Sequence, residues 1–407
     1  MKPTKYSKLR WIATIIFSGC LLSSCASKPP TQNQNQSSTP FIFRSLDLKQ
    51  RRPDGVRDWE LTSPEARYNT AARTVRARIP KGILYFEDKP SFMISADHAT
   101  VLNDGELVVL EGTVRLKRLG AEPLLIQGDR LIWRPALSTM IINQRPVALN
   151  RNSRIISNSL IFQQESGQLL FSGPTKLSRW EKNYSSTLDP QTVITAGNGR
   201  WNLNTGIIAA VGPILANQVN GRELTATSIQ GNTKKNFIDL KAPVQFKLEQ
   251  DDAIVDAGET RWDFERDQLS SRAPVSASLP KADVSGIGFT IDIGNNLLTI
   301  SNSCEVVQPD KNLRAKSCTW NWGKDLLTAA GNVNLKESKA GQVQRAEQME
   351  GSFNQDGSIR FSPTRDRVQT QIKLNTGKNN GANQDESSQV TFEVSRSSPL
   401  TSGHRIG

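Results

Sequence analysis

One feature constrains the fold of this chain more than any other: a phrase repeated at a period of roughly 30 residues, the range of stacked or solenoidal architectures. Each copy opens on an aliphatic residue: Ile94, Ile126, Ile155, Ile194, Leu224, Val255, Val284 and Leu313. Two positions later stands a small one: Ala96, Gly128, Ser157, Ala196, Ala226, Ala257, Gly286 and Ala315. Five further on come Val101, Trp133, Phe162, Trp201, Gly231, Trp262, Ile291 and Trp320. A second half is marked by Pro146, Pro174, Pro213, Pro243 and Pro274. Those prolines are followed by Val147, Thr175, Ile214, Val244 and Val275, and Thr113-Val114 holds the same place earlier.

Apolar residues at spacing two lie on one face of a strand. The middle of each copy is polar and turn-rich, as in Asn202 to Gly206 and Asp292 to Asn296. A copy is therefore two strands joined by a turn. The prolines cannot donate to a ladder and suit an edge, a strand start or a bulge. The small residue and the aromatic have opposite parity, which places a corner or bulge between them. A lone hairpin cannot bury its apolar face, but a stack can. The expected fold is all-β: an elongated open β-jelly roll or solenoid of about nine two-stranded units, with an ordinary β-sandwich as the alternative. Counted at one strand spacing per unit, nine units reach roughly 40 Å.

Length alone would divide 407 residues into two or three domains; the repeat points to one extended domain over 41–374. Residues 1–24 read as a lipoprotein signal peptide. Lys2, Lys5, Lys8 and Arg10 form a basic region, Trp11 to Leu22 an apolar one, and the stretch is too short for a spanning helix. Leu22-Ser23-Ser24-Cys25 resembles the bacterial lipobox, which makes Cys25 the lipidation site; plain signal-peptidase cleavage and an uncleaved anchor are the alternatives. Residues 25–40, rich in Gln, Asn, Ser, Thr and Pro, read as a disordered tether, and 375–407 as a disordered tail. The first unit is rich in arginine (Arg67, Arg73, Arg76, Arg78), either as solvated strand faces or as a contact for anionic lipid or an acidic partner.

The chemistry of an enzyme is not visible. There are two histidines, His98 and His404, and no Cys-x-x-Cys or Ser-His-Asp set can be assembled. The run Glu249, Asp251, Asp252 falls between units, where a solvated turn is the plainer reading. Gly286-Ile287-Gly288 has no helix after it and is no dinucleotide loop. No enzyme activity, cofactor, metal or nucleic acid is expected; the net charge of +12 alone is a weak argument for nucleic acid. A hairpin centred near Asp310 and Lys311 would set Cys304 opposite about Ser317, one step from Cys318. A cross-strand disulfide is expected there, against two semi-buried thiols.

Several stretches resemble a known family. They are Phe43 to Leu48, Trp59 to Tyr68, Ile94-Ser95-Ala96-Asp97 and Leu110-Glu111-Gly112-Thr113-Val114. Together they look like the periplasmic lipopolysaccharide-export bridge proteins, the LptC-like and OstA-like family. The resemblance implies an open β-jelly roll that passes lipopolysaccharide from inner-membrane ABC transporter subunits towards the outer membrane. It also implies edge-strand contacts with a neighbouring jelly-roll bridge protein and a lipid-anchored place on the periplasmic side of a membrane. This chain is about twice as long as the familiar short member and has a lipobox rather than a transmembrane anchor. On that reading the lipid groove is lined by Ile94, Ile126, Ile155, Ile194, Leu224, Val255, Val284 and Leu313. Val114, Val147, Ile214, Val244 and Val275 face them from the second strands. The tryptophans either line the groove mouth or close the core at one edge. The competing function is a structural lipoprotein whose repeats bind polysaccharide or another protein.

Overall fold

In a computed structural model of the chain, the described residues are 41–219, 221–248, 252–338 and 341–352, with the backbone of 360–362, 367–373 and 389–395. All belong to one compact unit, Pro40–Gly407. The signal peptide, Cys25 and the tether lie outside the described residues.

The described strands form one long antiparallel sheet that does not close into a barrel. Its geometry follows from long strands that bend. Ile207–Gln218 pairs through its first half with Gly199–Asn202 and through its second half with Thr192–Ala196. Along its whole length it also pairs with Arg222–Asn232. Gln268–Leu279 and Leu107–Arg118 behave the same way. The sheet is thus folded along a crease into two flanks, the first holding segments such as Thr192–Ala196 and the second segments such as Gly199–Asn202, whose inner faces pack on each other.

The crease is where the repeat carries its small residues and prolines. Register shifts fall between Gly128 and Arg130, Val211 and Ile214, Ser271 and Pro274, Ser285 and Ile287, and Ala330 and Val333. A proline removes a ladder donor, so it is tolerated only where the ladder is already broken. Pro213 and Pro274 sit inside such bulges, and Pro146, Pro174 and Pro243 in gaps between strand segments. The second flank ends in turns that each hold a left-handed residue: Arg73, Asp104, Ser138, Gly167, Gly206, Asn236, Asp267, Asn296 and Asp325. Asn, Asp and Gly tolerate that conformation best, which explains the polar middle of every copy.

Each unit is two bent strands, and each strand gives a segment to both flanks. A unit is therefore two rungs thick, and nine of them span roughly 85 Å at the usual strand spacing, twice the length expected from one rung per unit. The tail is also corrected in part. Gln389–Ser395 is a strand paired with Arg367–Lys373. Its Val390, Phe392 and Val394 alternate at strand period within a polar composition that hides them.

Two buried clusters fill the space between the flanks. One runs from Trp59 to Leu203, the other from Ile194 to Met349.

Candidate functional site

The sheet register joins the aliphatic positions into one inward row. It starts at Leu48 and Leu61 and runs through Gly82, Ile94, Leu116 and Ile126. It continues through Ala148, Ile155, Leu177, Ile194, Ala216 and Leu224. It then passes Phe246, Val255, Ala277, Val284, Val306 and Leu313 to Leu335. All are apolar except Gly82, whose added Cβ would lie 2.9 Å from Ile94 Cγ2 and 2.7 Å from the Glu60 carbonyl oxygen. The next partner is Gln344, where the apolar row stops.

Every residue expected in the aliphatic row lies on this line. Ile94, Ile126, Ile194, Leu224, Val255, Val284 and Leu313 are buried; Ile155 is half-buried. Val114, Ile214, Val244 and Val275 are buried on the same face, nearer the crease. Val147 is the exception. It pairs with Gln127 and Ile156, so it points outward, and Ala148 takes the inward place. The cause lies at the preceding corner. Pro146 is itself buried and takes the inward place two residues before Ala148 that Val114, Ile214 and Val244 hold before Leu116, Ala216 and Phe246, so the residue after this proline faces out.

The opposite flank presents a second inward row through Val101, Val108, Trp133, Met140, Phe162, Leu169, Trp201 and Ile208. It goes on through Gly231, Ile238, Trp262, Leu269, Ile291, Leu298, Trp320 and Leu327. The tryptophans thus lie near the turns of that flank, and Leu203, Phe264 and Trp322, each two residues further on, pack against the same clusters. The Nε1–H groups of Trp133 and Trp201 are buried and meet no acceptor.

The motif Ala96-Asp97 with Glu111-Gly112-Thr113 is a clasp across the crease. Asp97 Oδ2 accepts from the Thr113 backbone N–H at 2.9 Å and from its hydroxyl at 3.2 Å. Gly112, at φ +89, leaves the space this carboxylate fills; an added Cβ would lie 2.2 Å from Oδ2. One unit on, Arg145 grips Asp129 with two guanidinium hydrogen bonds. These residues hold the bend. Among the described residues, no group of three His, Cys, Asp or Glu side chains is placed to hold a metal ion.

Cys304 and Cys318 form a disulfide with Cα atoms 5.9 Å apart. Its register differs from the hairpin expectation. Cys304 stands opposite Ala315 on the first flank, and Cys318 opposite Ile300 on the second, so the bond staples the two flanks at the crease. In the first unit, Arg67 meets Glu65 and Arg73 meets Asp104.

Sequence reasoning missed the place where the interior opens. The two buried clusters leave between them a cavity of about 220 Å³. Its walls are Ile155, Phe171, Leu177, Ile194, Ala196, Trp201, Ile208, Ala210, Ile229 and Ile238. Its rim is polar: Asn150, Asn152, Ser153, Arg179, Thr192, Thr233 and Asn236. Asn150, Ser153, Arg179 and Thr192 of this rim belong to a third inward row on the first flank, nearest the open edge, while Thr233 and Asn236 come from a turn of the second. That row is apolar at Leu84, Phe92 and Leu124 with Arg118 among them, turns polar through Asn150, Ser153, Arg179, Thr192, Gln218 and Arg222, and is apolar again at Leu248 and Ala253. The signal was in the repeat. The position two before the aliphatic residue reads Phe92, Leu124, Ser153, Thr192, Arg222, Ala253, Ala282 and Lys311, polar in the middle copies. The longest interval between copies, Ser157 to Ala196, also falls here. It holds the segment Trp180 to Gln191, tied to the rim by the Trp180 N–H to the Asn152 carbonyl and the Tyr184 N–H to the Arg151 carbonyl, each 2.8 Å.

Comparison with known proteins adds one finding. The family model for lipopolysaccharide assembly, LptC-related, matches residues 11–152, about a third of the chain. The family is one of envelope transport proteins rather than enzymes, and it implies a role in lipopolysaccharide assembly and transport. No curated protein matches the chain. Beyond residue 152 the inward rows continue unbroken, so the matched stretch and the rest share one geometry.

Proposed function

We propose that this chain, which carries an LptC-related lipopolysaccharide-assembly domain over residues 11–152, is a membrane-tethered periplasmic carrier in lipopolysaccharide export. It takes acyl chains into the interior between its flanks and moves them from an inner-membrane ABC transporter towards the outer membrane. The observation that supports this most is the apolar inward row from Leu48 to Leu335, joined strand to strand without a polar interruption. Burying methylenes along it is favourable by about 0.8 kcal/mol each and needs no directional partner. Neighbouring rungs differ little, so a chain can move on without leaving a deep well. The row is largely filled by its own side chains, so lipid enters by parting the flanks along their open edge.

Two further parts belong to the same reading. Cys25 is diacylated and the tether that follows holds the folded part to a membrane; Cys25→Ala should release the protein to the soluble fraction with the lipid mass lost. The edge strand Leu46–Arg51 joins a neighbouring bridge protein or transporter subunit by strand addition.

A photo-crosslinking residue at Ile126, Ile194 or Leu224 tests the conduit. Crosslinks to lipopolysaccharide that require transporter energy are expected. A folded variant that crosslinks only to protein at all three sites favours the other reading, a structural or polysaccharide-binding lipoprotein with a filled core.

A further inference from the structure

The cavity at the junction of the two cores has features that a uniform conduit does not need. Its walls are apolar and its rim is polar, and of the two arginines that line it, Arg200 is exposed while Arg179 is half-buried. Arg179 is an inward position of its strand, between Ser153 and Thr192. Its guanidinium lies 4.6 Å from the centroid of the Phe264 ring, which belongs to the opposite flank. Among the described residues no carboxylate pairs with it, and burial pushes its pKa down from the ordinary arginine value. Four other arginines of the sheet, Arg57, Arg145, Arg261 and Arg314, each meet a carboxylate. A half-buried cation without a counter-ion at the mouth of an apolar cavity is costly unless an anion joins it.

We infer that this cavity is a discrete binding site for an anionic amphiphile, with one acyl chain among Ile155, Leu177, Ile194 and Ala210 and the anionic head on Arg179. The size fits a single chain. At about 220 Å³ the cavity is smaller than the roughly 300–1,000 Å³ of pockets that enclose whole drug-sized ligands. A guanidinium offers a planar fork of donors that matches carboxylate and phosphate oxygens alike. The head group is therefore defined by its negative charge, and experiment must separate the two chemistries. Apart from Asn150 and Asn152 on its rim, the site lies beyond the family-matched stretch, in the copies where the rim row becomes polar. It gives the chain a preferred station for one class of lipid where the remaining rungs are interchangeable. The inference rests on the reading of the interior as lipid-carrying.

The test is direct binding to the purified full chain, using dodecyl phosphate, dodecanoate, dodecyl maltoside and inorganic phosphate. Saturable binding of at least one of the two anionic amphiphiles is expected, and the tighter of the two identifies the head group. Arg179→Gln should weaken that binding at least tenfold and leave dodecyl maltoside unchanged. Arg179→Lys should lose only a few-fold and, because it keeps the charge, separates head-group recognition from a folding defect. Ala210→Leu, which fills the cavity, should weaken charged and neutral chains together. Equal affinity of Arg179→Gln and the unchanged chain for the anionic amphiphiles overturns the assignment. So does inorganic phosphate binding as tightly as dodecyl phosphate, or no binding of any chain. Crosslinking at Ile126, remote from Arg179, decides the transport reading separately: lipid crosslinks there with no effect of Arg179→Gln would sink only the present inference.

Discussion

If the interior is packed along most of its length and open only at the central cavity, equal truncations at two rungs should have unequal costs. Leu116 and Leu177 occupy the same inward row. Leu116 is fully buried in the first cluster, while Leu177 is half-buried on the cavity wall. Leu116→Ala removes a packed side chain and leaves a void, a change that costs about 3–5 kcal/mol. At Leu177 the neighbouring space already exists, and only part of the side chain leaves water on folding. The expected cost is about 1 kcal/mol, the transfer value of a partly buried leucine. A stacked-repeat chain need not unfold in one step, so a single global stability is the wrong measure. Native-state hydrogen exchange at the cross-strand neighbours reads the local value. The amides around Ile94 and Ile126 should lose two to three orders of magnitude of protection in Leu116→Ala, since about 1.4 kcal/mol is tenfold. Those around Ile155 and Ile194 should lose tenfold or less in Leu177→Ala. Similar losses at the two positions would refute the claim that the interior is sealed at one rung and open at the other.

Further consequences can be measured on the same preparations. Cys304→Ser with Cys318→Ser opens a loop of sequence separation 14, worth about 3 kcal/mol, and the loss should appear between residues 297 and 335 while 92–133 stays protected. Uniform loss of protection along the chain would contradict the stacked arrangement. Asp97→Ala removes both bonds to Thr113 and should lower local stability at that corner by about 1–2 kcal/mol, read as faster exchange of the Thr113 amide. Gly112→Ala should be at least as damaging, because its backbone is left-handed and the new methyl meets the Asp97 carboxylate.

What was legible in the sequence was whatever repeats in register. A residue that recurs at a fixed phase must face the same way in every copy, so Ile94 through Leu313 could be placed on one row without coordinates. The misplacements come from events that break phase. At the corner before Ala148 the proline itself, Pro146, takes the inward place, so Val147 faces outward, and no composition rule marks the shift. The disulfide partners were identified by proximity, but their register was set by a bend between Ala315 and Cys318 that puts them on different flanks. The thickness of a unit was hidden because a strand that bends in the middle looks, in sequence, like one rung. The polar rim was present in the repeat but is a departure from its pattern, and a search for agreement passes over it. Arg179 has no equivalent phase signal, since its meaning depends on Phe264 across the mouth.

The two ends of the inward row differ, and this gives the last prediction. At one end the row begins on Leu48, in the strand Leu46–Arg51, which among the described residues pairs only with Arg57–Ser63. Its outer edge is an unpaired ladder with apolar residues on the inner face, so an added strand would extend both the sheet and the row. At the other end the row turns polar at Gln344 and Thr370 before it reaches Phe392 of the last described strand, so a strand added there would be cut off from the apolar row by two polar rungs. On the proposed function, joining a neighbour at Leu46–Arg51 would continue the lipid path. Within a strand, the N–H and C=O of one residue point to the same side and those of the next to the other. Proline at one parity therefore removes bonds to Arg57–Ser63, and proline at the other removes only donors on the free edge. Of Asp47→Pro and Leu48→Pro, one should loosen the strand, and the other should leave it folded while abolishing co-purification with the transporter subunits. Retention of the transporter by both variants, with the strand still protected in one of them, would place the junction elsewhere.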